Sequence, residues 1–278
     1  MKIKEIPVSI FHTLKLLSLS AIKLRLNEKK EVPVIVSLTS IPSRLGLVHL
    51  VIRSLMDQEV RPKKIVLWLN KTLKDSIPKK LGKLEGDLFE IRFSALECSH
   101  RKLIHSLDAF PSEIIITCDD DLIYRRNWLR LLFEAHQDHP NRILANQTRY
   151  ISYDQQGKLL PYKQWIYRGG TPFNADAVLP VGAGGVLYPP GTLLDKTGDI
   201  DLFMDLAPKA DDLWFKAMSY LKGTTSSNAG NAPKKPIPIM GSQVQSLKKQ
   251  NVDQDKNRST WEAVSAHFEI DLSRQTGL

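Results

Sequence analysis

The fold of this chain is decided around the stretch Ile114-Ile115-Ile116-Thr117-Cys118-Asp119-Asp120-Asp121, in which three β-branched isoleucines run almost directly into three carboxylates. An apolar run of this kind is typical of a buried strand. Adjacent carboxylates repel one another and are costly to bury, but a hard divalent cation such as Mg²⁺ or Mn²⁺ favours their oxygens as ligands. The stretch therefore predicts a strand whose end holds a metal ion with room for phosphate oxygens.

The first and third acids of this stretch are the candidate metal ligands. In an extended chain, residues i and i+2 point the same way, so Asp119 and Asp121 are expected to face one ion or its bound ligand. The alternative is an acidic turn that caps the following helix. Capping needs one acid, whereas three follow this strand, and the metal interpretation is therefore favoured.

Strands and helices alternate around the acidic stretch. The predicted strands are 32–40, 64–69 and 90–93, and the predicted helices are 43–56, 102–110 and 127–136. Their alternation predicts an α/β fold with a mostly parallel central sheet and helices on both faces. Ligands of such sheets bind beyond the carboxyl ends of the strands, where residues 37–44 and 119–121 both lie.

The charge balance indicates an anionic partner. The 278 residues carry 39 Lys and Arg against 30 Asp and Glu, which gives a formal net charge of +9. No recognised nucleic-acid motif accompanies the basic residues, so phosphates or an anionic membrane are favoured over nucleic acid. The two cysteines make no disulfide framework, which fits a reducing compartment and predicts a cytoplasmic protein.

Residues 1–30 form a basic amphipathic segment with seven Lys or Arg against two Glu. One helical face of this segment carries the apolar side chains Ile10, Leu14, Leu17, Ala21 and Leu24. Such a helix is expected to lie on an anionic membrane, which would place the protein peripherally at the inner face of the cell membrane. The alternative is a helix that packs on the core of the protein itself.

Two further motifs each allow two interpretations. Asp211 and Asp212 stand before an apolar helical stretch, where they can cap the helix or supply a general base. Taken alone, the capping interpretation is the stronger one. Gly182, Gly184 and Gly185 let the backbone approach a ligand, or they make a tight turn.

Lys102 and His267 are isolated candidates. Lys102 follows Arg101 ahead of the acidic strand and is a candidate phosphate ligand, although a solvated basic pair is the alternative. His267 is a candidate metal ligand, but a lone histidine without a spaced partner is more often structural.

Five segments occur in one order, and together they resemble a known family. They are VIVSLTSIPSR (34–44), IVLWL (65–69), ITCDDDLIY (116–124), VGAGGVLYPP (181–190) and ADDLWF (210–215). Over residues 32–222 the chain resembles bacterial glycosyltransferases of the GT-A fold, in the family-2-like group associated with capsule and lipopolysaccharide synthesis. The resemblance implies a Rossmann-like catalytic domain at 31–222, with a nucleotide-binding half at 31–125 and an acceptor half at 126–222.

Residues 223–278 follow this domain. Residues 223–238 are rich in Gly, Ser, Asn and Pro, and they are predicted to form a mobile loop ahead of a C-terminal helical segment. The R-W signature of processive family members is missing, which favours an enzyme that adds a single sugar.

The resemblance and the motifs together nominate a donor site. The residues expected to bind the nucleotide sugar are Ser37, Thr39, Arg44, Lys102, Asp119, Asp120, Gly184 and Gly185. Asp119 and Asp121 are expected to hold Mn²⁺ or Mg²⁺, with His267 as the candidate further ligand.

The acceptor chemistry implied by the resemblance depends on the acidic pair. Asp212 is expected to be the base of an inverting single displacement, with Asp211 before it. The donor is expected to be a nucleoside-diphosphate sugar, in particular a UDP-hexose, and the acceptor a hydroxyl of a cell-surface glycan or a lipid-linked molecule.

Two rival functions stay open at this stage. A sugar-nucleotide nucleotidyltransferase would carry a Gly-rich basic loop after the first strand, but no glycine precedes Gly46 there. A non-catalytic, membrane-associated glycan-binding scaffold would have no physical reason to keep three adjacent carboxylates at a strand end.

Overall fold

The computed structural model describes residues 3–25, 29–167, 174–242 and 254–273. Its strands are β1 (Glu31–Thr39), β2 (Arg61–Asn70), β3 (Phe89–Ser94), β4 (Ile114–Thr117), β5 (Leu122–Ile123), β6 (Ile143–Ala145), β7 (Thr148–Tyr150), β8 (Ile166–Tyr167), β9 (Val178–Pro180), β10 (Val186–Tyr188), β11 (Ser226–Asn228) and β12 (Ile237–Pro238). Its helices are α1 (Ile6–Ser18), α2 (Ala21–Arg25), α3 (Val48–Met56), α4 (Lys79–Gly82), α5 (Arg101–Ala109), α6 (Trp128–Asp138), α7 (Ile200–Leu206), α8 (Asp211–Leu221) and α9 (Lys256–His267).

Seven strands form the central sheet in the order β11-β6-β10-β4-β1-β2-β3. The strands β4, β1, β2 and β3 run parallel to one another, whereas β10 is antiparallel to both β4 and β6. This arrangement confirms the predicted mostly parallel α/β sheet. Ser37 of β1 pairs with Thr117 of β4, so the loop after β1 and the acidic triplet leave the sheet at the same edge.

The sheet buries apolar side chains on both faces, because successive residues of a strand alternate between the two faces. In β1, Val34 and Val36 belong to one apolar cluster, while Ile35 belongs to the other. Helices α3 and α6 contribute to the first cluster, and α5, α8 and α9 contribute to the second. Helices therefore cover both faces, as the alternation of elements predicts.

The N-terminal amphipathic helix is present as two pieces, α1 and α2. Arg53 of α3 donates from Nε to the carbonyl oxygen of Leu16 at 2.8 Å, and also from Nη2 to the carbonyl of Leu19, so the end of α1 is fixed to the body of the protein. Among the described residues, no helix is both long and apolar enough to cross a membrane.

The expectation of a mobile loop over residues 223–238 is wrong in two places. Ser226–Asn228 forms β11, which pairs with β6, and Ile237–Pro238 forms β12, which pairs with β5. Neither short strand contains an apolar run that would mark it in the sequence. Both form through hydrogen bonds to partners about 80–115 residues away in the chain, which local sequence does not encode. The central sheet therefore extends beyond residue 222.

Candidate functional site

The candidate site lies at the carboxyl edge of the sheet and is centred on the buried ammonium of Lys102. This side chain, at the start of α5, is 6% exposed. Its Nζ lies 3.2 Å from Oδ1 of Asp119, after β4, and 3.1 Å from Oδ2 of Asp211, at the start of α8. One lysine therefore joins the acidic triplet to the acidic pair, which are about 90 residues apart in the chain.

The surroundings of Lys102 keep it charged. Burial alone would lower the pKa of its ammonium, but the carboxylates of Asp211, Asp119 and Asp212 together raise that pKa well above its ordinary value. The solvated basic pair considered from the sequence is therefore not what the structure shows. Arg101 is also buried, and it donates to the carbonyl oxygens of Leu96 and Ser40.

The two carboxyls of the acidic pair differ in pKa. Burial alone would raise the pKa of Asp211, but the Lys102 ammonium lowers it below its ordinary value. Burial, followed by the charge of Asp211, raises the pKa of Asp212 to about 7. The backbone N–H of Gly182 donates to Oδ2 of Asp212 at 3.0 Å. Neighbouring carboxyls whose pKa values differ in this way are the usual arrangement of a general base and its partner.

The acidic pair lies at the start of helix α8, as the helix-capping interpretation requires, but the contacts of its carboxylates are not those of a helix cap. Helix α8 begins at Asp211, where the helix dipole favours negative charge. Its N-cap residue is Ala210, which makes no side-chain cap. The described contacts of the two carboxylates instead include Lys102 and the Gly182 N–H.

Arg44 ties the loop after β1 to the other two acids of the triplet. Its Nη1 lies 2.6 Å from Oδ1 of Asp120, and its Nη2 lies 3.2 Å from Oδ2 of Asp121. Ser40 donates to the second oxygen of Asp120 at 2.6 Å, and Arg44 Nε donates to the carbonyl of Ser242 at 3.0 Å. Burial raises the pKa of Asp120 even though Arg44 opposes this shift.

The expected extended geometry of the triplet is wrong, because the chain turns at Asp120 and Asp121 before β5. Asp119 consequently pairs with Lys102, whereas Asp121 pairs with Arg44. Within the described ranges, no three His, Cys, Asp or Glu side chains form a group that could hold a metal ion. The donor chemistry nevertheless suits a hard cation, since the Asp119 side chain is 34% exposed and offers carboxylate oxygens.

Ser37 and Thr39 lie at the predicted edge but bind protein groups. Ser37 is fully buried, donates to the backbone carbonyl of Lys102, and accepts from Ser106 at 2.8 Å. The expectation that Ser37 meets the nucleotide is therefore wrong in this structure, because its hydroxyl joins β1 to α5. Thr39 Oγ1 donates to the carbonyl of Trp68 at 2.8 Å and accepts from Arg101.

Gly184 and Gly185 are needed for packing. A Cβ on Gly184 would lie 2.7 Å from Cγ of Gln147, and one on Gly185, whose φ is +93°, would lie 2.5 Å from the Trp128 ring. The Gly184 carbonyl accepts from Trp128 Nε1 at 2.7 Å. Gly182 is the glycine that faces the site, since a Cβ there would lie 2.9 Å from Oδ1 of Asp212 and 3.6 Å from the Lys102 ammonium.

His267 does not join the acids in this structure. It is exposed at the last residue of α9, where its ring makes an edge-on contact with Phe268 at 4.6 Å between centroids. The structural interpretation of this histidine fits that position better than metal ligation.

The site residues that were missed from the sequence include Tyr124 and Ser242. The hydroxyl of Tyr124 accepts from the backbone N–H of Asp119 at 2.8 Å, and its place within the segment ITCDDDLIY was the available signal. Ser242, whose Oγ donates to the carbonyl of Asp121 at 3.3 Å, gave no local signal because it lies 121 residues further along the chain.

No family model and no curated protein matches this chain. Solved structures to which it is similar include 4-diphosphocytidyl-2C-methyl-D-erythritol synthase from Anaerococcus prevotii DSM 20548, at 11% identity over 84% of this chain and 97% of that one, with a TM-score of 0.44. TarS 1–349 of S. aureus is 15% identical over 75% of this chain and 59% of that one, also with a TM-score of 0.44. HddC from Yersinia pseudotuberculosis complexed with GMP-PN is 13% identical over 58% of this chain and 77% of that one, with a TM-score of 0.36.

Proposed function

We propose that this protein is a glycosyltransferase that moves a sugar from a nucleoside-diphosphate sugar, in particular a UDP-hexose, to an acceptor hydroxyl. The observation that carries the proposal is the position of Asp212. Its carboxyl has a pKa near 7, and Lys102 links its neighbour Asp211 to the acidic triplet. A base next to a phosphate-binding edge is what sugar transfer to a hydroxyl needs, since the hydroxyl must lose a proton as it attacks.

The proposed chemistry is a single displacement. The acceptor oxygen attacks the anomeric carbon, Asp212 takes the hydroxyl proton, and the bond from the anomeric carbon to the diphosphate oxygen breaks with inversion at that carbon. The Gly182 N–H holds one oxygen of Asp212 and thereby fixes the direction of the base. Lys102 lowers the pKa of Asp211, so Asp212, with the higher pKa, is the member of the pair that accepts the proton.

The divalent-metal expectation is part of this proposal. Asp119 and Asp121 would hold Mn²⁺ or Mg²⁺, and the ion when bound would neutralise charge on the leaving diphosphate. Their ion pairs with Lys102 and Arg44 would then compete with the metal for carboxylate oxygens. His267 is left out of this ligand set because of its position at the end of α9.

The nucleotidyltransferase alternative has less support from the basic side chains. That chemistry needs cations free to hold a triphosphate, whereas the described contacts of Arg44 include two carboxylates and those of Arg101 include two carbonyl oxygens. A finer assignment, to capsule or lipopolysaccharide synthesis on a glycan or lipid-linked acceptor, rests on the sequence resemblance.

Product identification tests the proposal. The purified protein is incubated with a panel of nucleoside-diphosphate sugars, Mn²⁺ and glycan acceptors, and the released phosphate compound is identified. Release of the nucleoside diphosphate with a glycosylated product is expected, and Asp212→Asn should abolish it. The exposed helical acid Asp205 offers the matched control Asp205→Asn, which should leave turnover unchanged.

Three results would count against the proposal. Pyrophosphate formed from a nucleoside triphosphate and a sugar phosphate would assign the nucleotidyltransferase function. Full transfer by Asp212→Asn would remove Asp212 as the base. Folded protein that binds no nucleotide sugar in a calorimetric titration would favour the glycan-binding scaffold.

A further inference from the structure

Helix α1 presents a mostly polar side to the body of the protein and an apolar side to solvent, which is the reverse of a helix that packs on the core. Its inward side is mostly polar, with Ser9 buried and His12 and Thr13 half-buried, and Leu16 is the one residue of this set that is both apolar and buried. Its larger apolar side chains face outward instead. Phe11 is 64% exposed and Leu14 is 62% exposed. The segment therefore contacts the core through Leu16 and Leu24, but the larger apolar side chains of α1 do not.

Four of the outward apolar side chains form one continuous face. At 100° per residue, Ile10, Phe11, Leu14 and Leu17 fall within an arc of about 120°, and each of them is exposed. Burying a face of this kind is favourable wherever an apolar phase is available. We define these four residues as the α1 apolar face.

Polar contacts hold this face outward. Met240 donates its backbone N–H to Ser9 Oγ at 3.2 Å, and the Arg53 guanidinium donates to carbonyl oxygens at the end of α1. Arg125 Nη1 lies 3.3 Å from Nε2 of His12. Because these contacts fix the inward side, α1 cannot rotate its apolar face into the core without losing them.

The basic residues around the α1 apolar face indicate which kind of partner binds it. Residues 1–30 carry seven Lys or Arg against two Glu, and Lys15, Lys23 and Arg25 are exposed on α1 and α2. A second copy of this chain, docked by a two-fold axis, would bring the same basic segment against itself. An anionic lipid surface supplies both the apolar phase and the opposite charge.

We propose that the α1 apolar face docks the protein onto an anionic lipid bilayer. The 13 residues of α1 span about 20 Å, shorter than the ~30 Å hydrocarbon layer, so the helix would lie in the interface. This docking does not depend on the proposed transferase activity.

The docked helix adjoins the candidate site. Met240, which bonds to Ser9, is itself 52% exposed, and two residues later Ser242 contacts both Arg44 and Asp121. A bilayer against α1 would therefore lie near the segment that contacts Arg44 and Asp121. If the proposed function holds, this geometry favours an acceptor that is presented from the membrane.

Co-sedimentation of the full chain with vesicles tests the docking. One set of vesicles is phosphatidylcholine with roughly one third phosphatidylglycerol, and the other is pure phosphatidylcholine. The wild type should bind the anionic vesicles, and the double variant Phe11→Ser/Leu14→Ser should bind them roughly tenfold more weakly or worse. Both side chains are exposed, so the melting temperature should be unchanged.

The matched control removes exposed apolar side chains elsewhere. Ile200 and Met204 of α7 are 45% and 41% exposed, and Ile200→Ser/Met204→Ser should sediment like the wild type. Equal loss in this control, or no binding to either vesicle, would overturn the proposal. Equal binding to neutral vesicles would overturn the anionic assignment.

A dimer that the α1 variant converts to a monomer would assign the face to a second copy of the chain. Light scattering on the same samples detects that outcome. Vesicle binding is measured without donor or acceptor, so failure of the transfer assay and failure of the docking assay are distinguishable.

Discussion

The two acidic groups of the site, Asp119–Asp121 and Asp211-Asp212, are built from the same side chain but differ in the cations around them. The triplet is matched by Arg44 on two of its members and by Lys102 on the third. The pair shares Lys102, which favours ionisation of Asp211 and leaves Asp212 with a raised pKa. The comparison teaches that burial raises the pKa of Asp120 and Asp212 alike, whereas the Lys102 ammonium beside Asp211 is enough to lower the pKa of that carboxyl.

The largest expected effect separates the two groups kinetically. Asp212→Asn should lower kcat by about a thousandfold, because proton removal from the acceptor would be lost. Asp119→Asn should act mainly on the KM for the donor. Steady-state kinetics with donor and acceptor varied in turn measures both. If the two variants changed the same parameter to the same degree, the division of roles between triplet and pair would be wrong.

The next effect concerns the stability of the triplet. Arg44→Gln leaves Asp120 buried without its guanidinium, and we expect the free energy of unfolding to fall by about 3 kcal/mol. Arg126, whose side chain is 53% exposed, pairs with Asp57 at 3.2 Å and provides the control Arg126→Gln. That change should cost less than about 1 kcal/mol, since exposed ion pairs contribute little. Equal losses in chemical denaturation would show that the Arg44 pair is energetically an ordinary surface pair.

A smaller effect tests the metal at the triplet. Mn²⁺ together with UDP should stabilise the wild type by about 2–3 kcal/mol when the ligand is ~100-fold above its Kd. Asp119→Asn should remove most of this gain, and EDTA should reverse it, which a thermal-melting series detects. A gain that survives EDTA would mean that Lys102 and Arg44 bind the nucleotide without a metal.

The fold was largely predictable, because long strands carry their signal locally. The runs around Val34, Ile65 and Ile116 gave β1, β2 and β4 from their apolar residues. The strands of two or three residues, such as β10, β11 and β12, were not predicted. Their existence depends on pairing with distant strands, which propensity does not encode.

The site was predictable in its chemistry but not in its bonds. Asp119, Lys102 and Asp212 were all nominated from the sequence, and the structure brings them to one edge. Ser37 was misjudged because an edge position does not reveal which way a hydroxyl bonds. Gly184 and Gly185 were nominated as ligand-binding glycines in preference to Gly182. The Trp128 ring that would clash with a Cβ on Gly185 is a tertiary contact, which the sequence does not reveal.

The smallest expected effect sets the two members of the pair against each other. Asp212 has a folded-state pKa of about 7, above its unfolded value, so the folded protein binds an extra proton between about pH 4 and 7. The unfolding free energy contributed by this group therefore falls as the pH rises to 7 and stays low above it. Asp211, whose pKa is lowered, contributes stability above its unfolded pKa and loses it in acid.

Asparagine at the two positions should consequently change stability in opposite directions at pH 8. Asp212→Asn should raise the free energy of unfolding by about 1 kcal/mol, because it removes a like charge beside Asp211. Asp211→Asn should lower it, because Lys102 loses a buried partner. Burial lowers the pKa of His100 to about 4, so the protein loses stability below pH 6.5 as the unfolded His100 takes up a proton, and the charge of Asp211 opposes this shift. At pH 8 His100 is neutral in both states, so the comparison at that pH reports on the two carboxyls alone. Urea denaturation at pH 5.5 and 8 gives the comparison. If both variants lowered the free energy of unfolding, Lys102 would stabilise the two carboxylates equally. The choice of Asp212 as the proton acceptor would then have no electrostatic basis.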